Sequence, residues 1–157
     1  MIYADANVLI RLLEGTPAVR APLEARLLPL RGTGRFLATS RLGRLECRCK
    51  PLRASDPVLL ALDEAFFHGP EIQLLDITAE VVEKATELRA NLNLKTPDAI
   101  HLASAILTKA AAFLTGDKAR ALRRDFSRNP LRERATNERI CLRRRLVQVE
   151  LSLNRKD

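Results

Sequence analysis

Short apolar stretches alternate with longer amphipathic stretches along most of this chain. The apolar stretches are rich in residues typical of β-structure and predict short strands at 2–6, 35–39, 72–77 and 111–115. Apolar positions at helical spacing, with capping residues before them, predict a first helix that ends at Glu14. The same pattern predicts further helices at 17–30, 41–53, 57–68, 79–91, 96–109 and 118–124. This alternation predicts an α/β domain whose mainly parallel central sheet is covered by helices on both faces.

The pattern changes after residue 125. The remaining segment is dense in Arg and has weak periodicity, except for 146–153, which favours a final edge strand. Residues 1–119 carry a net charge of +1 and residues 120–157 a net charge of +7. We therefore expect a globular domain at 1–125 and a basic segment at 126–157, of which 126–145 is a linker or an irregular insertion. A basic segment favours a polyanion or an acidic partner, or serves solubility alone.

Composition narrows the class of protein. A length of 157 residues with 46% hydrophobic and 29% charged residues is typical of one soluble globular domain with a sizeable core. The most apolar stretch is interrupted by polar residues, so we expect no membrane span. Three cysteines without paired zinc-ligand spacing say nothing about a metal site and predict free thiols in a reducing cytoplasm.

Four acidic residues lie near the ends of predicted elements: Asp5, Glu46, Asp98 and Asp117. Ligands of open parallel sheets bind at the carboxyl ends of the strands, and the four acids could converge at one such edge. Taken singly, Asp98 and Asp117 could serve the positive end of a helix dipole, and Glu46 could pair with neighbouring Arg residues. A buried Asp5 needs partners, because an unpaired carboxylate is costly to bury.

Clustered carboxylates repel one another, and a divalent cation is the usual way to hold them together. Oxygen ligands of this kind select Mg²⁺ or Mn²⁺, which activate water and neutralise a phosphoryl group. The sequence has neither a glycine-rich phosphate loop nor a nucleophile elbow. His101 lies one helical turn after Asp98, and we interpret it as a structural or rim histidine, with a ligand role as the less favoured option.

Four segments of the chain resemble a known family. In order and spacing, "MIYADANVLIRLL", "ATSRLGRLE", "LKTPDAIHLASAI" and "FLTGDKARAL" are similar to the four acidic motifs of PIN-domain ribonucleases, most of all the VapC-type toxins of bacterial toxin–antitoxin systems. The second motif is the weakest, since it depends on Ser40 and Glu46 alone. The resemblance covers residues 1 to about 125.

The resemblance implies a three-layer α/β/α sandwich and an Mg²⁺- or Mn²⁺-dependent nuclease that cuts RNA. It implies that Asp5, Glu46 and Asp98 are the principal metal ligands and catalytic acids, and that Asp117 completes the site. Supporting polar residues would be Asn7, Ser40, Thr96 and Thr115, and basic residues placed to contact RNA would be Arg41, Arg44, Arg48, Lys95 and Lys118. It further implies a cognate antitoxin and a homodimer.

The Arg-rich segment departs from the family pattern, in which a short final strand soon follows the last helix. Either this segment is an insertion that contacts RNA or a partner, or the reading frame is altered near its end. Our main hypothesis is a cytoplasmic toxin that acts as a metal-dependent endoribonuclease. The alternatives are an inactive PIN scaffold that binds RNA or a partner protein, and a Mg²⁺-dependent DNA nuclease or phosphatase with a similar acid cluster.

Overall fold

A computed structural model describes residues 1–30, 32, 34 and 36–116 of this chain. Within these ranges the strands are β1 (Ile2–Ala4), β2 (Leu37–Ser40), β3 (Ile72–Leu75) and β4 (Ala112–Leu114). The α-helices of the same ranges are α1 (Ala6–Glu14), α2 (Pro17–Leu27), α3 (Arg41–Arg53), α4 (Pro57–Phe67), α5 (Ala79–Leu92) and α6 (Thr96–Leu107). A single 3-10 turn at Leu28–Leu30 follows α2.

The strands form one parallel sheet in the order β3-β2-β1-β4. The register aligns Tyr3 with Ala38 on one side and with Phe113 on the other. Because all the strands run in the same direction, their carboxyl ends share one edge, and β1 lies in the middle of that edge with a neighbour on each side. The predicted parallel sheet is confirmed.

Alternate residues of the strands build two separate cores, as a pleated sheet requires. Ala4, Leu37 and Leu114 belong to a large core that also contains buried residues of α1, α2 and α4. Tyr3 and Ala38 face the other way and pack against Ala105 of α6. Behind α6, a third cluster joins it to α5 through small side chains of both helices. Helices therefore cover both faces of the sheet, and the predicted three-layer α/β/α architecture is confirmed.

Side-chain caps explain where three of the six α-helices of the described residues begin. The side chains of Asp5, Asp56 and Thr78 each accept a hydrogen bond from a backbone N–H in the first turn of α1, α4 and α5, which satisfies one of the donors that a helix start leaves free. Helix α5 ends at Leu92 and is capped by Asn93, whose backbone is left-handed (φ 52°).

Several predicted boundaries are wrong by one to three residues: the second strand is Leu37–Ser40, the fourth is Ala112–Leu114, and α6 ends at Leu107. Three further boundaries show why. The first strand ends at Ala4, not residue 6, because Asp5 leaves the strand to cap α1. The third strand ends at Leu75, two residues before the predicted end. The helix predicted at 17–30 becomes the 3-10 turn after Leu27, next to Pro29, which has no N–H to continue the α-helical bonding.

The predicted helix at 118–124, the edge strand at 146–153 and the irregular segment at 126–145 lie outside the described residues. Among the helices of the described part, none combines the length and the hydrophobicity that crossing a bilayer demands.

Candidate functional site

Asp5 is a buried carboxylate at the carboxyl end of the central strand β1. Its backbone N–H donates to the carbonyl of Leu114 (3.0 Å), and its Oδ1 accepts a hydrogen bond from the N–H of Val8 (2.9 Å). Burial raises the pKa of the Asp5 carboxyl, and hydrogen bonds from the Thr115 side chain and the Val8 backbone offset this in part. Because water solvates the charged form poorly here, a positive group beside Asp5 would stabilise it.

Residues at the end of β4 lie beside the start of α1. Thr115, which the family resemblance predicts as a supporting residue, forms a hydrogen bond with Asp5. Asn7, a predicted supporting residue, is exposed and lies close to Gly116, where an added Cβ would come within 3.0 Å of the Asn7 Cβ. Arg11 of the same helix donates to the carbonyl of Gly116 (3.2 Å). The end of β4 is thus tied to the first helix next to Asp5.

Glu46 belongs to a line of hydrogen bonds that crosses the molecule. Its Oε2 lies 3.0 Å from Nε2 of His101 on α6, and Nδ1 of His101 lies 2.9 Å from the hydroxyl of Tyr3 on β1. The Tyr3 hydroxyl also accepts from the backbone N–H of Ser40 (3.1 Å). The side chain of Glu46 remains 31% exposed, whereas Tyr3 and His101 are almost completely buried.

Ser40, a predicted supporting residue, ends β2 and precedes α3. It is fully buried, and its hydroxyl and that of Thr39 lie close enough to the Tyr3 phenol to lower its pKa, although burial still leaves that pKa raised. Neither hydroxyl forms a hydrogen bond of ordinary geometry within the described residues. Both are therefore polar groups buried next to Tyr3.

Asp98 lies in the exposed first turn of α6, three residues before His101 and hence on a neighbouring part of the same helix side. Thr96 is the first residue of this helix, and Lys95 is its N-cap; both are exposed. Asp117 and Lys118 lie outside the described residues. The described part of the chain therefore holds three of the four predicted acids.

The predicted basic residues on α3 fall into two groups. Arg44 and Arg48 both donate to Glu64 of α4, Arg44 at 2.7 Å. They lie two residues before and after Glu46, which corresponds to roughly 200° around an α-helix, so they face α4 and not His101. Arg41, at the helix start, pairs with Asp76 on the exposed surface that follows β3. Arg44 and Arg48 thus have a structural partner that the sequence did not reveal.

The donor chemistry of these acids suits a hard divalent cation, because carboxylate oxygens are its preferred ligands. Within residues 1–116, so far as they are described, no three His, Cys, Asp or Glu side chains come close enough to form a metal site. The fourth predicted ligand, Asp117, directly follows the last described residue. The described residues thus provide ligands of the right type without assembling a complete set.

Sequence reasoning missed Tyr3 and Arg11. The position of Tyr3 inside a short apolar strand indicates a buried phenol, and a buried phenol requires a hydrogen-bond partner. No local signal marked Arg11, because its acceptor, the Gly116 carbonyl, is distant in sequence.

Comparison with known proteins identifies the family. The family model described as PIN domain matches residues 2–126, so this chain belongs to the PIN-domain family. The resemblance deduced from the four sequence motifs is therefore confirmed. A comparison with curated protein sequences gives no significant match.

Solved structures with a similar fold include toxin–antitoxin proteins. VapBC2 from Rickettsia felis, bound to a DNA fragment from its promoter, is 18% identical, with a TM-score of 0.61 over 79% of this chain and 92% of the other. A toxin–antitoxin complex from Klebsiella pneumoniae is 24% identical, with a TM-score of 0.57 over 83% and 93%. VapC20 from Mycobacterium tuberculosis, a toxin that cleaves the sarcin–ricin loop, is 17% identical, with a TM-score of 0.60 over 74% and 92%. At these identities the likeness demonstrates a shared fold.

Proposed function

We propose that this chain is a Mg²⁺- or Mn²⁺-dependent endoribonuclease and the toxin of a toxin–antitoxin pair. The observation that carries the proposal is the placement of two acids, Asp5 and Glu46. Asp5 is buried at the carboxyl end of β1 in a PIN fold, and Glu46 is held by His101 of α6. Burying a carboxylate is costly, and a cation bound at Asp5 would offset that cost.

Asp5, Glu46, Asp98 and Asp117 would hold the cation in this proposal. Once bound, Mg²⁺ or Mn²⁺ would supply Lewis-acid activation of water and neutralise charge on the phosphodiester. The chain's own contribution is to fix its oxygens. The N–H of Val8 and the side chain of Thr115 orient Asp5, and His101 orients Glu46. Asn7, Ser40 and Thr96 would complete the polar surroundings.

Arg41 and Lys95 are the better-placed cations for the RNA backbone. Both are at exposed helix starts, and the Arg41–Asp76 ion pair is solvent-accessible, so a phosphate can replace Asp76 at little cost. Arg44 and Arg48 would first have to leave Glu64, and we assign them a smaller part in RNA binding. Lys118 stays a prediction from the sequence.

The proposed partners follow from the family and its structural neighbours. The neighbours from Rickettsia felis and Klebsiella pneumoniae are toxin–antitoxin assemblies, and on that basis we propose a cognate antitoxin for this chain. We also propose a homodimer and action in the cytoplasm, where RNA substrates are present. Co-purification with the product of an adjacent small gene tests the antitoxin, and light scattering of the purified chain tests the dimer.

The activity itself is tested by incubating the purified full chain with RNA, single-stranded DNA and a phosphomonoester, each with Mg²⁺, Mn²⁺ or EDTA. We expect cleavage of RNA alone, and only with a divalent cation. Cleavage that persists in EDTA would overturn the metal dependence. RNA binding without any cleavage would favour the inactive scaffold, cleavage of DNA would favour a DNA nuclease, and hydrolysis of the monoester would favour a phosphatase.

A matched pair of substitutions tests Glu46 separately from the contacts between α3 and α4. Glu46→Gln removes a proposed ligand, and we expect RNA cleavage to fall by at least about 10- to 100-fold, the loss usual for residues that support a metal site. Glu64→Gln is the control, because Glu64 contacts Arg44 and Arg48 on the other side of α3. Equal activities of the two variants would contradict the assignment of Glu46.

A further inference from the structure

Three hydrogen bonds connect four elements of the fold in one unbroken line. They run from the Ser40 N–H to the Tyr3 hydroxyl (3.1 Å), from that hydroxyl to His101 Nδ1 (2.9 Å), and from His101 Nε2 to Glu46 Oε2 (3.0 Å). The line begins at the end of β2, passes through β1 and α6, and ends on α3. Each of the three hydrogen bonds joins residues at least 37 positions apart, so only the folded chain forms the line.

For a neutral His101 ring, the chemistry of the two ends fixes the direction of this line. The Ser40 N–H can only donate, so the Tyr3 oxygen accepts from it. At the other end an ionised Glu46 can only accept, so His101 Nε2 carries a hydrogen. A neutral imidazole has a single N–H, which leaves Nδ1 as an acceptor for the Tyr3 O–H. Every group in the line then donates toward Glu46.

Burial keeps the line from rearranging. Tyr3 is 0% and His101 3% exposed, so water cannot replace the hydrogen bond between the Tyr3 hydroxyl and His101 Nδ1. The Tyr3 ring stacks on Phe113 with centroids 5.6 Å apart and meets the His101 ring edge-on at 5.9 Å. The rings are therefore fixed in position by packing as well as by hydrogen bonds.

The absence of a side chain at Gly43 leaves room for Thr39 beside the first turn of α3. A Cβ on Gly43 would lie 2.3 Å from Thr39 Oγ1, which is too close, and 3.5 Å from Cε1 of His101, which is an ordinary van der Waals contact. Gly43 therefore lies between Thr39 and His101, and Glu46 is about one turn further along the same helix.

We propose that Tyr3 and His101 are positioning residues that fix the Glu46 carboxylate through this one-way line of hydrogen bonds. Oε2 is held by His101 while the carboxylate, about a third exposed, keeps a side open to a ligand. The value of the arrangement for metal binding rests on the proposed function, in which Glu46 is a ligand. The direction of the hydrogen bonds is independent of the proposed function.

The direction is measured first, in the metal-free wild-type protein at neutral pH, from the nitrogen-15 chemical shifts of the imidazole rings. The chain has two histidines, so the His68→Gln variant assigns both spectra. His68 provides an internal contrast, since its Nδ1 faces the carbonyl of Glu64 (2.9 Å) and must donate there. We expect His101 to be the neutral tautomer with hydrogen on Nε2. Hydrogen on Nδ1, an even mixture of tautomers, or a doubly protonated ring would overturn the proposal.

Positioning is measured next, by titrating Mn²⁺ into full-length variants and following binding by calorimetry. Removal of a partner that orients a ligand usually weakens metal affinity by about 10- to 100-fold. We expect a loss in this range for His101→Leu and a smaller loss for Tyr3→Phe. His101→Gln, which retains a side-chain N–H donor, should recover part of the affinity. Phe113→Leu is the packing control, because it disturbs the ring stack and leaves every hydrogen bond of the line in place.

The results separate this inference from the proposed function. If Tyr3→Phe leaves both the His101 tautomer and the Mn²⁺ affinity unchanged, or if Phe113→Leu weakens Mn²⁺ binding as much as Tyr3→Phe does, Tyr3 has only a packing role and the inference is wrong. If the wild-type protein shows the expected tautomer but binds no Mn²⁺ and cuts no RNA, the proposed function fails, and with it the positioning of Glu46 for a metal, while the hydrogen-bond direction stands.

Discussion

Asp5 and Asp63 are two aspartates that the fold hides almost equally well. Their exposed fractions are 7% and 1%, and burial raises the pKa of both carboxyls. Asp5 lies at the carboxyl end of β1, where the Val8 N–H donates to it and where Thr115 and His101 are its neighbours. Asp63 lies within α4, and its Oδ2 has no hydrogen-bond partner in the described part of the chain.

The surroundings of Asp63 also differ in charge. Glu14 raises the pKa of Asp63 further, and Arg48 and Arg44, which are engaged with Glu64, compensate only in part. Asp63 is thus a buried residue of α4 among the charged side chains of Glu14, Arg44 and Arg48. Burial and a raised pKa therefore do not by themselves mark a functional carboxylate. In the proposed function, Asp5 is distinguished from Asp63 by its position at the carboxyl edge of the sheet and by the hydrogen bonds that orient it.

The largest difference between the two residues should be in RNA cleavage. We expect Asp5→Asn to lower the cleavage rate by at least about 100-fold, since losing a metal ligand costs more than losing a residue that orients one. Asp63→Asn should cleave at the wild-type rate. The measurement is a single-turnover assay with Mg²⁺ on both variants, after circular dichroism has shown that each is folded. A similar loss in both folded variants would contradict a special role of Asp5 in cleavage.

The next difference concerns stability at neutral pH. Asp63→Asn replaces a poorly solvated charge by a neutral amide of the same shape, and leaving such a buried group unpaired costs about 1–3 kcal/mol. We expect this variant to unfold in urea with a free energy higher than that of the wild type by about 1 kcal/mol, because the amide itself still lacks a full set of partners. A variant less stable than the wild type would show that the Asp63 charge is favourably paired.

The smallest expected effect is the pH dependence of that stabilisation. A carboxyl whose folded-state pKa is raised binds a proton more tightly in the folded than in the unfolded state, so its contribution to stability is lost as pH rises. This loss begins near the unfolded value, roughly pH 4, and ends once pH has passed the raised pKa of Asp63. The advantage of Asp63→Asn should therefore be absent in acid and appear above that window. Urea unfolding of both proteins across this range measures it, and a constant difference would contradict the raised pKa.

Much of the fold could be predicted from local patterns. The alternation of strands and helices, and caps such as Asp56 and Thr78, depend on residues close in sequence. The structure reproduces them to within a few positions. The strand ends were less predictable, because Asp5 can continue a strand or cap a helix, and only the bond to Val8 decides between them.

The site was predictable at the level of residue type and less so at the level of contacts. Asp5 could be predicted at the strand end, because parallel strands share a carboxyl edge. The bond between Tyr3 and His101 could not, since 98 positions separate the two residues and their meeting depends on how α6 packs on the sheet. In the same way, the ion pairs of Arg44 and Arg48 depend on α4, which a helical pattern in α3 does not reveal.

Binding of Mn²⁺ by the wild type, Asp5→Asn and Asp63→Asn tests the proposed metal site most directly, because it needs neither a known RNA target nor an antitoxin. We predict that the wild type and Asp63→Asn bind Mn²⁺ with the same affinity and that Asp5→Asn loses it, as followed by calorimetry or by electron paramagnetic resonance of free Mn²⁺. Wild-type affinity in Asp5→Asn would contradict a metal site at Asp5, and so would a wild-type protein that binds no divalent cation.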